Sequence, residues 1–316
     1  MASAILSGWE RSVLRFIAKR PYILFILPGI IVYTIFITAP IVVSIPFSLT
    51  GLTENGHRIF VGFENYVVVF TNKILFPQFL RALRNTFLGL ALNYVVIHPL
   101  IIFLAYQMYR KIWGHVIFQN ILFIPQFVNA IALTFMVSIF FSPYLGLYYH
   151  VFKFLGLEKW GIPGVWTNEK LGVVLIVIVW TWAGLGYEML LYIAAFKMIP
   201  NELVEASIID GAGEWKRFTR VYFPLLMPTF TNVMVLMFIW CITAFEIPYI
   251  LGGISGGING NMDFLTLFLY RTAFGSGAYS TNFVGMGSAI STVILAILGG
   301  GSGIILWILR GRQVTY

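Results

Sequence analysis

Two carboxylates, Glu188 and Glu246, stand alone inside long apolar runs. A lone ionised group near mid-bilayer costs roughly 3 kcal/mol on insertion scales, so each is expected to face protein or a wet cavity. Paired intramembrane carboxylates suit the proton or sodium site of an ion-coupled secondary transporter. An acceptor beside aromatic rings suits a sugar, whose ring has an apolar face edged by hydroxyls. Aromatic partners are near both. Tyr187 precedes Glu188 after Gly184-Leu185-Gly186, a stretch where helices can approach closely, and Met237, Trp240, Cys241 and Ala244 share one helical face at i, i+3, i+4 and i+7 just before Glu246. Gly184, Tyr187, Glu188, Met237, Trp240, Cys241, Ala244 and Glu246 are therefore the candidate substrate contacts, with Tyr187 and Trp240 foremost; the competing reading for each is plain helix packing.

Other chemistries lack their residues. His57, His98, His115 and His150 show no metal-ligand spacing, and the single cysteine, Cys241, excludes a disulfide framework and a thiolate metal site. Gly299-Gly300-Gly301-Ser302-Gly303 is not a phosphate cradle, because no strand precedes it and no Lys-Ser/Thr follows; close helix packing explains it better. No GxxxxGK[ST] occurs, so the chain is no ATPase by that route, and no catalytic residue, metal or cofactor is assigned to it. A membrane-embedded enzyme would need a nucleophile, metal or base constellation, and two carboxylates far apart in sequence are thin support for one.

The elements that must position these residues are membrane spans. Of 316 residues 59% are hydrophobic and 10% charged, which marks an integral membrane protein. A helix needs about 20 apolar residues to cross the hydrocarbon core, and six spans are read near 22–49, 85–108, 116–141, 171–196, 226–250 and 283–309. The segments between them on one side, about 50–84, 142–170 and 251–282, are too short for a separate soluble domain, so residues 1–316 are read as one transmembrane domain. The net charge of +8 does not point to nucleic acid; its placement matters more. Arg11, Arg15, Lys19, Arg20, Arg110, Lys111, Lys197, Lys216, Arg217, Arg220, Arg310 and Arg312 all fall on one side, which the positive-inside rule makes cytosolic together with both termini. Residues 1–21 form a cytosolic segment too basic and followed by too long an apolar run to be a cleaved signal; Trp9, Val13, Phe16 and Ile17 lie on one side of a short interfacial helix or a simple stop-transfer cluster.

Residues 197–224 are polar and charged between two spans. Pro200 suits a first helical position, Glu202 and Glu205 favour a helix N-terminus, and Asp210-Gly211-Ala212-Gly213 ends the helix. A second arm begins near Glu214 and runs to Pro224, with Trp215, Phe218 and Tyr222 at helical spacing. The result is a helix-turn-helix knob suited to engaging a partner.

The order Glu205-Ala206-Ser207, Gly211, Val221-Tyr222-Phe223-Pro224 resembles the EAA loop, EAA-x3-G-x9-I-x-L-P, of the membrane subunits of ATP-binding-cassette importers. Arg81-Ala82-Leu83-Arg84-Asn85-Thr86, Phe123-Ile124-Pro125, Phe196-Lys197-Met198-Ile199-Pro200 and Ala244-Phe245-Glu246-Ile247-Pro248-Tyr249 extend the resemblance to the sugar-type, maltose-permease-like branch over nearly the whole chain. The stretch Leu251-Gly252-Gly253-Ile254-Ser255-Gly256-Gly257 departs from the TGGP-like turn of that branch and lengthens the outer loop. The resemblance implies an all-α, six-helix type I importer (MetI-like) permease fold, with a peripheral first helix and a five-helix core. It implies as partners a second permease subunit, two cytosolic ATPase subunits that hold ATP and magnesium, an extracytoplasmic solute-binding protein and a carbohydrate, in a bacterial or archaeal cytoplasmic membrane. Glu205, Ala206, Ser207, Asp210, Gly211, Ala212, Gly213 and Pro224 are then the ATPase-coupling residues. An ion-coupled carrier using Glu188 and Glu246, or a permease for a non-sugar or acidic-sugar solute, are the alternatives.

Overall fold

The computed structural model describes residues 22–53, 57–142, 146–156, 171–275 and 283–311. The basic segment 1–21, with the interfacial helix read there, and Arg312 lie outside the described residues.

The first span consists of α1 (Tyr22–Tyr33) and α2 (Ala39–Phe47) joined by a π turn at Thr34–Thr38. Its apolar window buries nothing against the rest of the chain, so it is peripheral. A hairpin of β1 (Thr50–Leu52) and β2 (Arg58–Phe60), pairing Gly51 with Ile59, follows it. The Asn65 side chain, at the start of α3 (Glu64–Thr71), donates to the Ser48 and Thr50 carbonyls and pins the hairpin to the helix.

The second span begins ten residues before the predicted start. α4 (Leu75–Leu92) runs through a π turn at Asn93–Ile97 into α5 (His98–Tyr109), one apolar rod from Leu75 to Tyr109. The third predicted span is not one helix. α6 (His115–Phe123) ends in a 3-10 turn at Ile124–Phe127, and α7 (Ala130–Phe140) leaves at 101°. Pro125 at the start of the 3-10 turn lacks a donor, and Asn129 starts α7 by accepting the Ile131 N–H on its side chain at 2.9 Å. α8 (Leu147–Phe154) precedes the fourth span, α9 (Leu171–Lys197).

The loop after α9 contains α10 (Asn201–Ile209) and α11 (Glu214–Arg217). Pro200 is the cap before α10 rather than its first residue. The second arm does not stop at Pro224. A π turn at Phe218–Tyr222 carries α11 into α12 (Phe223–Ile242), and Pro224, which lacks a donor, falls directly after that turn, where the helical bonding has already shifted. The fifth span breaks at Thr243–Phe245 before α13 (Glu246–Gly252), and α14 (Leu265–Phe274) and α15 (Phe283–Arg310) complete the chain.

Two apolar clusters hold the bundle. One, around Phe79, Ile176, Phe264, Phe268 and Ile290, fills the half away from the 197–224 loop. The other, around Ile101, Tyr106, Tyr192, Phe196, Tyr222 and Leu226, fills the half next to it. Gly186 lets α9 meet α6 closely, since a Cβ there would lie 2.7 Å from the Phe123 backbone. Of the glycines at 299–303, Gly301 has that packing role against the Phe238 ring, while Gly299, Gly300 and Gly303 face open space.

The connection from α13 to α14 is fastened by polar groups. Asp263, fully buried, takes two hydrogen bonds from Arg271 at 2.7 and 3.1 Å, with Arg81 at 3.8 Å. Asn85 donates to the Gly260 and Asp263 carbonyls, and Thr86 Oγ1 accepts the Leu265 N–H. Burial pushes the Asp263 carboxyl above its ordinary value, against the hydrogen bonds and charge of Arg271 and the charge of Arg81. The two short contacts to one guanidinium are those of a carboxylate. Asp263→Ala leaves a half-buried guanidinium without its partner, so it is expected to destabilise the purified chain by about 3 kcal/mol. Thermal unfolding in detergent checks this, and an unchanged transition would show that the cluster does not hold the connection.

Candidate functional site

The projecting 197–224 loop and a cavity in the half of the bundle away from it stand apart from packing, and a second, more apolar cavity of about 760 Å³, lined by Tyr94, Tyr106, Arg110, Glu214 and Phe230 among others, lies at the base of the loop.

In the loop, α10 ends by a Schellman arrangement. The Ala212 N–H reaches the Ser207 carbonyl at 2.9 Å and the Gly211 N–H reaches the Ile208 carbonyl at 3.0 Å. This turn places Gly211 at φ +72°, with nothing within 4 Å of a built Cβ, so glycine is required by backbone conformation and not by crowding. Arg217 donates to the Ala212 carbonyl and ties the second arm to the turn. Glu214 forms an ion pair with Arg110, the cap of α5, and Tyr106 donates to the same carboxylate at 3.4 Å. Tyr106, Phe196, Phe218 and Tyr222 stack edge-on or tilted around one another with centroids 5.1–5.8 Å apart. The base of the knob is therefore stiff.

Its surface is not self-satisfied. Met198, Ile209 and Trp215 are 83%, 85% and 77% exposed, and Glu205, Ala206, Asp210, Gly211 and Gly213 are exposed beside them. Ala212 and Pro224 are half-buried, and Ser207 is buried with its hydroxyl on the Val204 carbonyl. Exposed apolar side chains set among charged ones make a surface of the kind a protein partner can cover.

The first cavity, of about 550 Å³, lies where the two broken spans meet. Gln126, Val128, Asn129 and Ala130 come from the break between α6 and α7, and Thr243, Ala244, Phe245 and Glu246 from the break between α12 and α13. Ile176, Trp180, Ala183 and Gly184 on α9, together with Trp240, close it. Glu246 is the one charged residue among the described lining.

The structure divides the sequence-predicted substrate residues. Gly184, Trp240, Ala244 and Glu246 line the cavity, and Tyr187 lies beside it, its ring 6.0 Å from that of Trp240. Met237 and Cys241 do not reach it. They are buried in the two core clusters, and the Cys241 thiol contacts the Thr86 carbonyl at 3.4 Å. The shared helical face also ends early, because α12 stops at Ile242 and Ala244 lies in the break. Glu188 is 3% exposed and turned to the second span: its Oε2 lies 3.9 Å from His98 Nδ1, and His98 Nε2 is 2.8 Å from the Tyr192 hydroxyl. It is not placed to take a hydroxyl hydrogen bond from the cavity. The two intramembrane carboxylates also do not meet, one facing His98 and the other the cavity, so they form no shared ion site in this conformation.

Sequence reasoning passed over Gln126, Asn129, Trp180 and Thr243 at the cavity and Arg110 at the loop. Ile176, Trp180, Ala183 and Gly184 at i, i+4, i+7 and i+8 were readable as one helical face. Pro125 and Asn129 inside an apolar run were readable as a stop and a start.

Residues 97–306 match the family described as binding-protein-dependent transport system inner membrane component. The chain is 28% identical, over 93% of its length and 95% of the relative's, to the probable starch degradation products transport system permease protein AmyD of Thermoanaerobacterium thermosulfurigenes. It is 30% identical, over 92% and 88%, to the arabinooligosaccharides transport system permease protein AraP of Bacillus subtilis. Its fold is that of a chain of the bacterial alginate transporter solved with an alginate pentasaccharide-bound periplasmic protein, with TM-score 0.72 and 22% identity over 94% of this chain and 98% of that one.

His98→Leu would leave the Glu188 carboxylate buried without its partner, and a loss of about 3 kcal/mol is expected. Adding Glu188→Leu should recover about 1–2 kcal/mol of that loss, the rest remaining because the buried Tyr192 hydroxyl has lost its His98 partner. Thermal unfolding of the three variants in detergent decides it; a strictly additive pair would refute the partnership.

Proposed function

The chain belongs to the binding-protein-dependent transport system inner membrane component family, and we propose that it serves there as a carbohydrate permease subunit of an ATP-driven importer. The observation that carries this reading is the pairing of an exposed helix-turn-helix knob at one end of the bundle with a polar, aromatic cavity beyond mid-bundle. A multi-pass membrane chain with both features has a place to receive mechanical work and a place to hold cargo.

On this reading the knob docks into a cytosolic ATPase that binds ATP and magnesium, through Glu205, Ala206, Asp210, Gly211, Ala212 and Gly213, with Ser207 and Pro224 shaping it. Of the thirteen described Lys and Arg residues, seven (Arg110, Lys111, Lys197, Lys216, Arg217, Arg220 and Arg310) belong to the knob and to the helix ends beside it and six lie elsewhere, a small excess in favour of a cytosolic loop and C-terminus. A second permease subunit completes the pathway in a bacterial or archaeal cytoplasmic membrane, and a solute-binding protein delivers cargo to the opposite end. The periplasmic protein in the alginate transporter structure supports that last partner. Rotation of the knob as a rigid body would switch the cavity between the two sides.

Relatives named for starch degradation products and arabinooligosaccharides support a carbohydrate cargo, and the cavity adds chemistry to that support. Trp180 and Trp240 offer apolar faces, while Gln126, Asn129, Thr243 and Glu246 offer hydrogen-bond groups for hydroxyls. With Glu246 its charged group, the cavity repels an anion unless the second permease supplies cations. Neutral oligosaccharides are therefore expected to be favoured over polyuronates by about tenfold or more. Uptake into proteoliposomes holding the full complex, each cargo with its cognate binding protein, measures this, and Trp240→Ala should slow neutral uptake. Faster uptake of the polyuronate, insensitive to Trp240→Ala, would overturn the assignment.

Coupling has its own measurement. Gly211→Val forces a β-branched residue into the left-handed region at a cost of about 1–2 kcal/mol and distorts the turn. It should uncouple transport from ATP hydrolysis more severely than Glu205→Ala. Normal transport with both changes present would remove the loop from the mechanism.

A further inference from the structure

The second cavity, at the base of the loop, is a groove that runs lengthwise along two spans. One wall is α5, from His98 through Ile102 and Tyr106 to Arg110 at one-turn spacing; the other descends from Phe230 on α12 through Phe223 and Phe218 to Trp215 and Glu214. Contacts join the walls in antiparallel order: the His98 and Phe230 rings at 5.2 Å, the Tyr106 and Phe218 rings at 5.1 Å, and Arg110 paired with Glu214. Tyr94, its hydroxyl on the Met234 carbonyl, closes the inner end. His98, Ile102 and Tyr106 are buried, whereas Pro99 and Phe103 beside them are exposed, so the groove is closed toward the core and open along the outside of the bundle.

Length, polarity and charge point to one kind of occupant. From His98 to Arg110 is twelve residues, about 18 Å of helix, close to the roughly 15 Å of hydrocarbon in one leaflet. The walls are mainly apolar up to the last turn, where Arg110 and Glu214 are half-exposed. Lys111, Lys216 and Arg217 adjoin that end in sequence, so cations outnumber the carboxylate there. Trp215, 77% exposed and stacked on Phe218 at 6.1 Å, marks the same end, the place an indole takes at headgroup level. A groove one leaflet long, open sideways to hydrocarbon and basic at its cytosolic end, has the shape and polarity of a lipid.

We propose that this groove seats one acyl chain of an anionic phospholipid of the cytosolic leaflet, whose phosphate docks on Arg110 in competition with Glu214; the choice of leaflet rests on the importer reading above. Basic pockets between spans on the cytosolic side suit such headgroups. Because the phosphate and Glu214 compete for one guanidinium, lipid in the groove frees the second arm of the knob from α5. The bilayer thereby sets how firmly the knob is held.

The test uses the purified full complex in phosphatidylcholine nanodiscs, with a trace of either phosphatidylglycerol or phosphatidylcholine carrying a photoreactive diazirine on its acyl chain. Adducts are mapped by peptide mass spectrometry. Phosphatidylglycerol is expected to label the groove about fivefold more than phosphatidylcholine does. Arg110→Gln should bring its labelling down to the phosphatidylcholine level, and Glu214→Gln, which removes the competitor, should raise it about twofold. Both substitutions break the same ion pair, so a purely structural role moves labelling in one direction for both, and that result would overturn the site. Equal labelling by the two lipids overturns it as well. So does the absence of groove adducts from either lipid, the second permease then being what covers that face. Displacement of the label by millimolar inorganic phosphate would show that Arg110 holds a free anion instead. Labelling is read without transport: a complex that labels selectively but imports no sugar leaves the site standing and removes the carbohydrate reading, and one that imports sugar without selective labelling removes the site alone.

Discussion

Backbone amides and carbonyls in hydrocarbon find no water, so a span must either stay helical or break where protein or a wet cavity can take over the freed groups. The third and fifth spans break, at Val128–Asn129 and at Thr243–Phe245, and both breaks border the same cavity. Asn129 replaces one lost backbone bond with its own side chain. Elsewhere the hydroxyls of Thr134, Thr181 and Thr231 are spent on carbonyls one turn back in their own helices. Other buried polar groups gather at His98, Glu188 and Tyr192 and around Asp263, apart from the cavity. Position of the site thus follows from where helix is given up.

The second span carries the opposite property. From Leu75 to Tyr109 it is helical without interruption, its π turn at Asn93–Ile97 held by the Tyr94 hydroxyl on the Met234 carbonyl. His98 faces Glu188, and twelve residues later, about 18 Å along a helix, Arg110 holds Glu214 in the knob. Glu188 in turn lies beneath Gly184, whose built Cβ would be 3.8 Å from its carboxylate and which itself lines the cavity. One rod therefore contacts the knob through Arg110 and, through His98 and Glu188, the α9 face that borders the cavity.

The sequence made some of this legible and concealed the rest for physical reasons. The ends of the fourth and sixth spans follow from uncharged length, and Gly211 announces its turn because few other residues tolerate that backbone. Hydropathy cannot see a break whose flanks are equally apolar, so residues 116–141 read as one helix although Pro125 and Asn129 mark the corner. Period alone also cannot tell a cavity-facing stripe from a packed one. Met237 and Cys241 share the stripe of Trp240, yet the neighbouring helices bury the first two. Glu188 was readable as needing a partner, but His98 lies ninety residues away, and only the packing of α5 on α9 brings them together.

Stiffness and looseness are distributed so that motion at one end can be felt at the other. Near the knob, the rings of Tyr106, Phe196, Phe218 and Tyr222, the Arg110–Glu214 ion pair and the continuous passage from α11 into α12 tie the loop to α5, α9 and α12. At the cavity the joints are plentiful: a 101° corner, an interrupted fifth span and a glycine-rich connection with four glycines at positive φ between Gly253 and Gly260. A packed cluster moves as a unit because its contacts are lost all together or not at all, whereas a broken helix can reorient about a few torsions. On the proposed reading, force applied to the knob would be delivered through α5 and α12 to the breaks that surround the cavity.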